Sequence, residues 1–81
     1  MIKYIEQLEL AEKEAPGRID RAVAIEELEA LRLQYLGRKG VVTMALQGLG
    51  GLAPEERPVL GKRANETKTT LTALIDRRAA E

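Results

Sequence analysis

The 81-residue chain contains no cysteine, histidine, phenylalanine or tryptophan. Without cysteine it can form neither a disulfide nor a thiolate metal site. Without histidine it lacks the commonest general base and metal ligand near neutral pH. No apolar run reaches the roughly 20 residues that a membrane-spanning helix needs. We therefore expect a soluble cytoplasmic protein.

Large aromatic side chains are almost absent, since Tyr4 and Tyr35 are the only two. The core must therefore come from Leu, Ile, Val and Ala, which suit an extended seam between helices better than a rounded core. Charged residues make up 32% of the chain, and many have the spacing of exposed helix faces. These features predict an all-α protein.

The net charge is zero, but the two halves of the chain differ. Residues 1–31 contain four basic and eight acidic side chains, whereas residues 32–81 contain nine basic and five acidic ones. The first part thus has a net charge of −4 and the second part +4. A neutral total does not exclude a polyanionic partner for the second part. The simpler interpretation, that both charge sets only solvate helices, fits the composition equally well.

The beginning of the chain predicts a short acidic helix over residues 2–15, ended by the turn signal Pro16-Gly17. We assign residues 1–21 to this helix and turn. Asp20 is then a plausible N-cap for a second helix that runs to Leu36. Its apolar stripe has helical spacing and consists of Ala24, Leu28, Leu31 and Tyr35.

Residues 22–81 predict a long antiparallel helical hairpin. Its arms would be residues 22–49 and 54–81, joined by a turn rich in glycine (Gly48, Gly50 and Gly51). Gly37 and Gly40 should bend or break the first arm. Pro54 is a candidate first helical residue, although the continuous helix could begin only at Pro58.

The second arm has a heptad-like seam, formed by Leu60, Ala64, Thr67, Leu71, Leu74 and Arg78, and widened by Ile75. Because that helix reaches Glu81 without a C-terminal cap, we expect the chain to be a fragment of a longer one.

Enzymatic chemistry finds little support in these residues. The adjacent carboxylates Glu55 and Glu56 are the best candidates for a catalytic acid pair. Their position at a predicted helix start is better explained by the positive end of the helix dipole, which favours negative charge. Arg38-Lys39 lies between glycines but lacks the phosphate-loop pattern. Residues 32–68, by contrast, contain seven basic and three acidic side chains. Such a surface can neutralise the phosphates of a folded RNA, and the scarcity of aromatics favours recognition of backbone and shape over stacking on splayed bases.

Several motifs occur in a characteristic order: Tyr35-Leu36-Gly37-Arg38-Lys39-Gly40, Val42-Thr43, Leu52-Ala53-Pro54-Glu55-Glu56-Arg57-Pro58, Gly61 and Asn65-Glu66-Thr67-Lys68. In order and spacing this set resembles the N-terminal domain of the bacterial phenylalanyl-tRNA synthetase alpha subunit. The likeness is specific over residues 35–68 and looser over residues 25–34.

The resemblance implies a coiled-coil arm that binds the outer corner of tRNA(Phe) and projects from an α2β2 heterotetramer of alpha and beta subunits. Phenylalanine, ATP and magnesium would belong to a later catalytic domain, so the resemblance implies neither ligase activity nor a cofactor for these residues. The residues that match or adjoin basic positions of the pattern are the candidate tRNA contacts: Arg38, Lys39, Arg57, Lys62 and Arg63.

Two alternatives remain open at this point. The seam from Leu60 to Leu74 could pair with another chain, which would make the protein an interaction module or a self-associating coiled coil. The chain could also be partly disordered until it docks on a partner.

Overall fold

The computed structural model describes residues 2–81, and this part of the chain is all-α, as predicted. The helices are α1 (Ile2–Arg21), α2 (Ile25–Leu36), α3 (Val41–Gln47) and α4 (Arg57–Ala80), with a 3₁₀ segment at Gly48–Gly51 between α3 and α4. The molecule is an elongated rod with dimensions of 42 × 19 × 18 Å.

The predicted hairpin is present, with α2 and α3 as its first arm and α4 as its second. Tyr35 on α2 packs with Leu71 and Ile75, near the C-terminal end of α4. Val42 on α3 packs with Leu60, near the beginning of α4. The two arms therefore run antiparallel. The Gly37–Gly40 segment breaks the first arm completely, since α2 ends at Leu36 and α3 begins at Val41.

The prediction of a short first helix was wrong. α1 continues through Pro16 and Gly17 to Arg21, so it has 20 residues. A proline inside a helix costs on the order of 3 kcal/mol, but α1 buries a continuous apolar stripe against both arms, and this burial outweighs the local signal. The stripe consists of Leu8, Ala11, Ala15 and Ile19.

The start of α2 also differs from the prediction. Asp20 lies inside α1, and Ala24 is the N-cap, with no side-chain cap. Glu27 takes over part of this role, since its carboxylate accepts a hydrogen bond of 3.3 Å from the Val23 amide. Glu26 and Glu27 also lie in the first turn, where negative charge is favourable.

The predicted seam of α4 forms the centre of the core. Leu60, Ala64, Thr67, Leu71 and Ile75 are all buried, whereas Leu74 and Arg78 lie half-buried at its edge. The seam is covered by α1, α2 and α3 of the same chain. It is therefore not available for pairing with a second chain, which removes the main support for the coiled-coil alternative.

The glycines that connect the two arms do not adopt left-handed backbone conformations. No residue in the range 2–81 has a positive φ, and Gly48–Gly51 instead continue α3 as a 3₁₀ turn. At Gly48, a Cβ would lie 2.5 Å from the Tyr4 ring, so a larger residue would displace that side chain. Pro54 lies in the turn before α4, and Pro58 occupies the first turn of that helix.

Across residues 2–81, none of the helices is long and apolar enough to cross a lipid bilayer. The same residues contain no group of three or more carboxylates arranged to hold a metal ion.

Candidate nucleic-acid interface

Arg38 and Lys39 form the corner of a tight turn between α2 and α3. The Gly40 amide donates a hydrogen bond of 2.8 Å to the Gly37 carbonyl, which closes a four-residue β-turn with the two cations at its centre. The Gly37 amide in turn donates to the Leu33 carbonyl at 3.0 Å and completes the end of α2. Both ends of the turn are thus fixed to helices.

The two glycines are needed because the turn lies directly against α2. A Cβ at Gly37 would be 2.5 Å from the Leu33 carbonyl oxygen, and a Cβ at Gly40 would be 2.5 Å from the Tyr35 carbonyl carbon. These neighbours are backbone atoms, which cannot move away as the end of a flexible side chain can. The glycine–basic–basic–glycine motif therefore encodes a compact corner that presents two cations.

Both cations of this corner point into solvent. Arg38 and Lys39 are exposed, and among residues 2–81 no hydrogen bond or ion pair occupies either side chain. Thr43 stabilises the corner from within, since its hydroxyl donates a hydrogen bond of 3.2 Å to the Leu36 carbonyl. A phosphate could approach this corner without displacing an internal partner.

Arg57 and Lys62 lie on α4. Arg57 is exposed at the first residue of the helix, where its Nε donates a hydrogen bond of 3.2 Å to the Leu52 carbonyl. The remaining nitrogens of that guanidinium are available to a ligand. Lys62 is exposed two residues after the buried Leu60, so it lies about 200° around the helix from the core.

Arg63 has a different environment from the other predicted contacts. Its Nη1 and Nη2 donate hydrogen bonds of 2.8 and 3.0 Å to the two carboxylate oxygens of Glu12 on α1. This bond to Glu12 raises the pKa of the Arg63 guanidinium further above its usual value. The side chain is half-buried and engaged inside the bundle, so the structure gives it a role in holding α1 to α4.

The predicted residues do not all share one surface. Lys39 borders a groove between α1 and the first arm. Lys62, by contrast, lies with Asn65 and Glu66 on the outer side of α4. Lys39 and Lys62 therefore border different surfaces of the molecule.

Sequence reasoning missed the contribution of α1 to this region. The groove beside Lys39 is also lined by Lys3, Tyr4 and Gln7 of α1. From the sequence, residues 1–21 were expected to form only a short acidic helix and a turn. Only the extension of α1 alongside α2 brings Lys3, Tyr4 and Gln7 there. The spacing of Leu8, Ala11, Ala15 and Ile19 was the available signal, because it continues the apolar stripe past Pro16.

Tyr35 joins α1 to α2 at the base of this groove. Its ring is 2% exposed, and its hydroxyl accepts a hydrogen bond of 3.1 Å from Nη1 of Arg18. The Arg18 guanidinium carbon is 5.8 Å from the ring centroid, at the outer limit of a cation–π contact. The hydrogen bond is therefore the main interaction between the two residues.

Comparison with known proteins identifies the domain. The family described as "Aminoacyl tRNA synthetase class II, N-terminal domain" matches residues 24–81. The chain belongs to this family. The resemblance that we derived from the motifs of residues 35–68 is thereby confirmed.

The domain is similar to phenylalanine–tRNA ligase alpha subunits. The protein from Lysinibacillus sphaericus is 41% identical over 93% of this chain and 22% of its own length. The protein from Geobacter metallireducens is 45% identical over 94% of this chain and 22% of its own length. The protein from Moorella thermoacetica is 48% identical over 78% of this chain and 18% of its own length. No solved structure matches the chain.

The chain spans about a fifth of the length of these relatives. The Geobacter match covers 76 of the 81 residues, so it must include most of α1, which lies outside the region matched by the family model. The first helix is therefore part of the similarity to the alpha subunits.

Proposed function

We propose that this domain is the tRNA-binding arm of a phenylalanine–tRNA ligase alpha subunit, and that it docks the outer corner of tRNA(Phe) through backbone charge and shape. The observation that carries the proposal is the Arg38–Lys39 corner: two exposed cations on a turn that is tied to both flanking helices, in a chain of this family. Because the backbone of this turn is already fixed, only the two side chains lose conformational freedom when they bind a phosphate.

Contacts of this kind explain affinity without sequence reading. Lysine and arginine release condensed counterions when they neutralise phosphates, and backbone contacts fix the position of the nucleic acid without identifying its bases. The arm is 42 Å long, so it can support a folded RNA at a distance from the reacting end. Its contribution to aminoacylation is then to orient the tRNA for chemistry elsewhere.

On this proposal, the other parts of the reaction belong to other parts of the enzyme. Phenylalanine, ATP and magnesium would bind a catalytic domain outside residues 1–81, and the beta subunit of an α2β2 assembly would be a further partner. Arg57 and Lys62 are secondary candidate contacts, since each is exposed on α4. Arg63 supports the interface indirectly by fixing α1 to α4.

The test is a titration of labelled tRNA(Phe) with the chain at about 50 and 200 mM salt, the range in which phosphate-driven binding falls steeply. We expect the double substitution Arg38→Ala, Lys39→Ala to weaken binding at low salt. It should also lower the slope of log affinity against log salt by about 0.7–0.9 for each phosphate contact that is lost.

A matched control removes the same charges elsewhere. Lys13 on α1 and Arg77 near the end of α4 are both exposed, so the double substitution Lys13→Ala, Arg77→Ala also deletes one lysine and one arginine. Equal losses in the two double variants would mean that only net charge matters, and would reject the corner as a site. An unstructured RNA that binds as well as tRNA would reject recognition of shape.

A further inference from the structure

The groove between α1 and the first arm has a volume of about 650 Å³. This volume lies within the range of about 300–1,000 Å³ that is typical of sites for small molecules, and it is too limited for a folded partner domain. The groove lies beside the proposed contact Lys39. Its lining therefore indicates which part of an RNA, besides the phosphates, could bind to the arm.

Both aromatic residues of the chain, Tyr4 and Tyr35, line this one groove, but Tyr35 is buried, so Tyr4 provides the accessible ring. The low number of aromatics argued against base stacking at the level of sequence, but the fold places one of the two rings at a groove beside Lys39. Tyr4 is half-buried, with its ring against the Gly48 backbone, so it is held in position while part of the ring remains accessible. Aromatic rings held in this way are the usual platforms for single-stranded bases.

The groove also exposes aliphatic surface that phosphate binding does not require. Leu10 is 53% and Met44 is 45% exposed, and both line the groove. Contacts to phosphates alone would leave these two side chains exposed to water. A ligand with one flat apolar face would cover them.

The groove is also lined by polar and charged side chains that could bind the polar parts of a ligand. Lys3 and Lys39 provide positive charge, and Gln7 and Gln34 provide amide donors and acceptors. Glu14 adds a carboxylate that can accept a hydrogen bond from an amino group or a ribose hydroxyl. Cations, amides and an apolar floor together match a nucleotide, which joins an anionic phosphate to a flat base with polar edges.

We propose that this groove holds an unpaired nucleotide of the bound RNA, with the base against Tyr4 and Met44 and the phosphate near Lys3 and Lys39. The inference rests on the proposed function and extends it, because it adds a base-binding subsite on α1 to a surface otherwise expected to contact only phosphates.

The chain has only two tyrosines, so ring-selective ¹³C labelling and NMR give a direct readout. Tyr35→Phe assigns the two signals. The probes are a single-stranded RNA octamer and the blunt duplex formed by the same strand, at equal phosphate concentration. We expect the Tyr4 ring signals to shift saturably with the octamer, and to shift much less with the duplex.

The variant for this test is Met44→Glu, which should weaken octamer binding by about tenfold, the scale expected when one stacked base is lost. Leu33→Glu is the matched control, since Leu33 is 68% exposed and lies outside the groove lining. Leu10→Glu repeats the test from α1, and circular dichroism checks that each variant remains helical.

The outcomes separate this inference from the proposed function. Salt-sensitive tRNA binding with unmoved Tyr4 signals and normal binding by Met44→Glu would overturn the nucleotide groove and leave the arm intact. Absence of binding to any RNA would overturn both. Movement of the same signals on raising the protein concentration alone would mean that a second copy fills the groove, and would also overturn the inference.

Discussion

The Arg63 guanidinium on α4 donates two hydrogen bonds, of 2.8 and 3.0 Å, to the Glu12 carboxylate on α1. The Thr67 hydroxyl, one turn further along α4, donates a third bond of 2.6 Å to the same carboxylate. That hydroxyl also lies 3.1 Å from the Arg63 carbonyl, but it has one proton, and the shorter, charge-assisted contact takes it. This cluster fixes the register of α1 on α4.

The first prediction concerns the stability that this cluster provides. Glu12 and Arg63 are 27% and 30% exposed, so we expect a value toward the lower end for hydrogen bonds to charged groups. Glu12→Gln should lower the free energy of unfolding by about 1–2 kcal/mol, which corresponds to a lower Tm by about 4–8 °C per kcal/mol for a domain of this size. Urea unfolding of Glu12→Gln, Arg63→Gln and the double variant gives the coupling energy.

The control for this cycle is a second ion pair between helices, formed by Arg32 on α2 and Asp76 on α4 at 2.6 Å. Asp76 is 60% exposed, so Asp76→Asn should cost less than about 1 kcal/mol and become negligible at high salt. If Asp76→Asn is as costly as Glu12→Gln, the Glu12 cluster has no special role.

The second prediction is a dependence of stability on pH. The hydrogen bond from Arg63, assisted by that from Thr67, lowers the pKa of Glu12 below its usual value, although partial burial opposes this shift. A carboxyl group with a lowered folded pKa stabilises the protein above its unfolded pKa of about 4.3, and this contribution is lost as the pH falls through the folded pKa. We therefore expect the difference in stability between the wild type and Glu12→Gln to be constant from about pH 7 to 5, and to shrink below the unfolded value.

Thermal unfolding of both proteins over this pH range provides the measurement. A difference that stays constant down to strongly acidic pH would show that the substitution acts through packing and not through the charge of Glu12.

The third prediction concerns the glycines of the cationic corner. Gly37→Ala and Gly40→Ala each introduce a methyl group 2.5 Å from backbone atoms of α2, so we expect each to destabilise the fold by about 1–3 kcal/mol, as overpacking does. Gly50→Ala is the matched control, because a Cβ there meets no atom within 4 Å and φ is not positive. That control should be neutral or slightly stabilising. Comparable losses in all three variants would indicate a general effect of glycine and not a close approach.

Sequence periodicity predicted those parts of the fold in which burial and local signals agree. The end of α2 at Leu36 followed from Gly37, and the seam of α4 followed from the spacing of Leu60, Ala64, Thr67 and Leu71. The extent of α1 could not be obtained this way, because Pro16 and Gly17 are strong local breakers. The packing of Ala15 and Ile19 against the hairpin keeps α1 helical beyond Pro16. Such packing depends on elements far away in the sequence.

The candidate site shows the same division. Arg38 and Lys39 are exposed on the turn between Gly37 and Gly40, and their role as tRNA contacts stays a prediction. Arg63 looked equivalent to its neighbour Lys62 in sequence, but the helix places Arg63 toward α1, within reach of Glu12 51 residues earlier. Lys3 and Tyr4 could not be assigned to the groove until α1 was known to run alongside the first arm. Pairings over such separations leave no local signature in a single sequence.

The fourth prediction tests the continuity of α1 directly. Gly17 lies within this helix, and a Cβ there would meet only the Arg21 guanidinium at an ordinary distance of 3.8 Å. Glycine costs roughly 0.5–1 kcal/mol relative to alanine inside a helix, so Gly17→Ala should stabilise the protein by about that amount in urea unfolding. If the helix instead ended in a turn after residue 15, Gly17→Ala would gain no stability from helix propensity. Gly51→Ala, at an open position outside the α-helices, corrects for the general entropic effect of removing a glycine. A stabilisation at Gly17 no larger than that at Gly51 would mean that the chain turns at Pro16-Gly17 in solution, and α1 would then be too short to bring Arg18 to Tyr35.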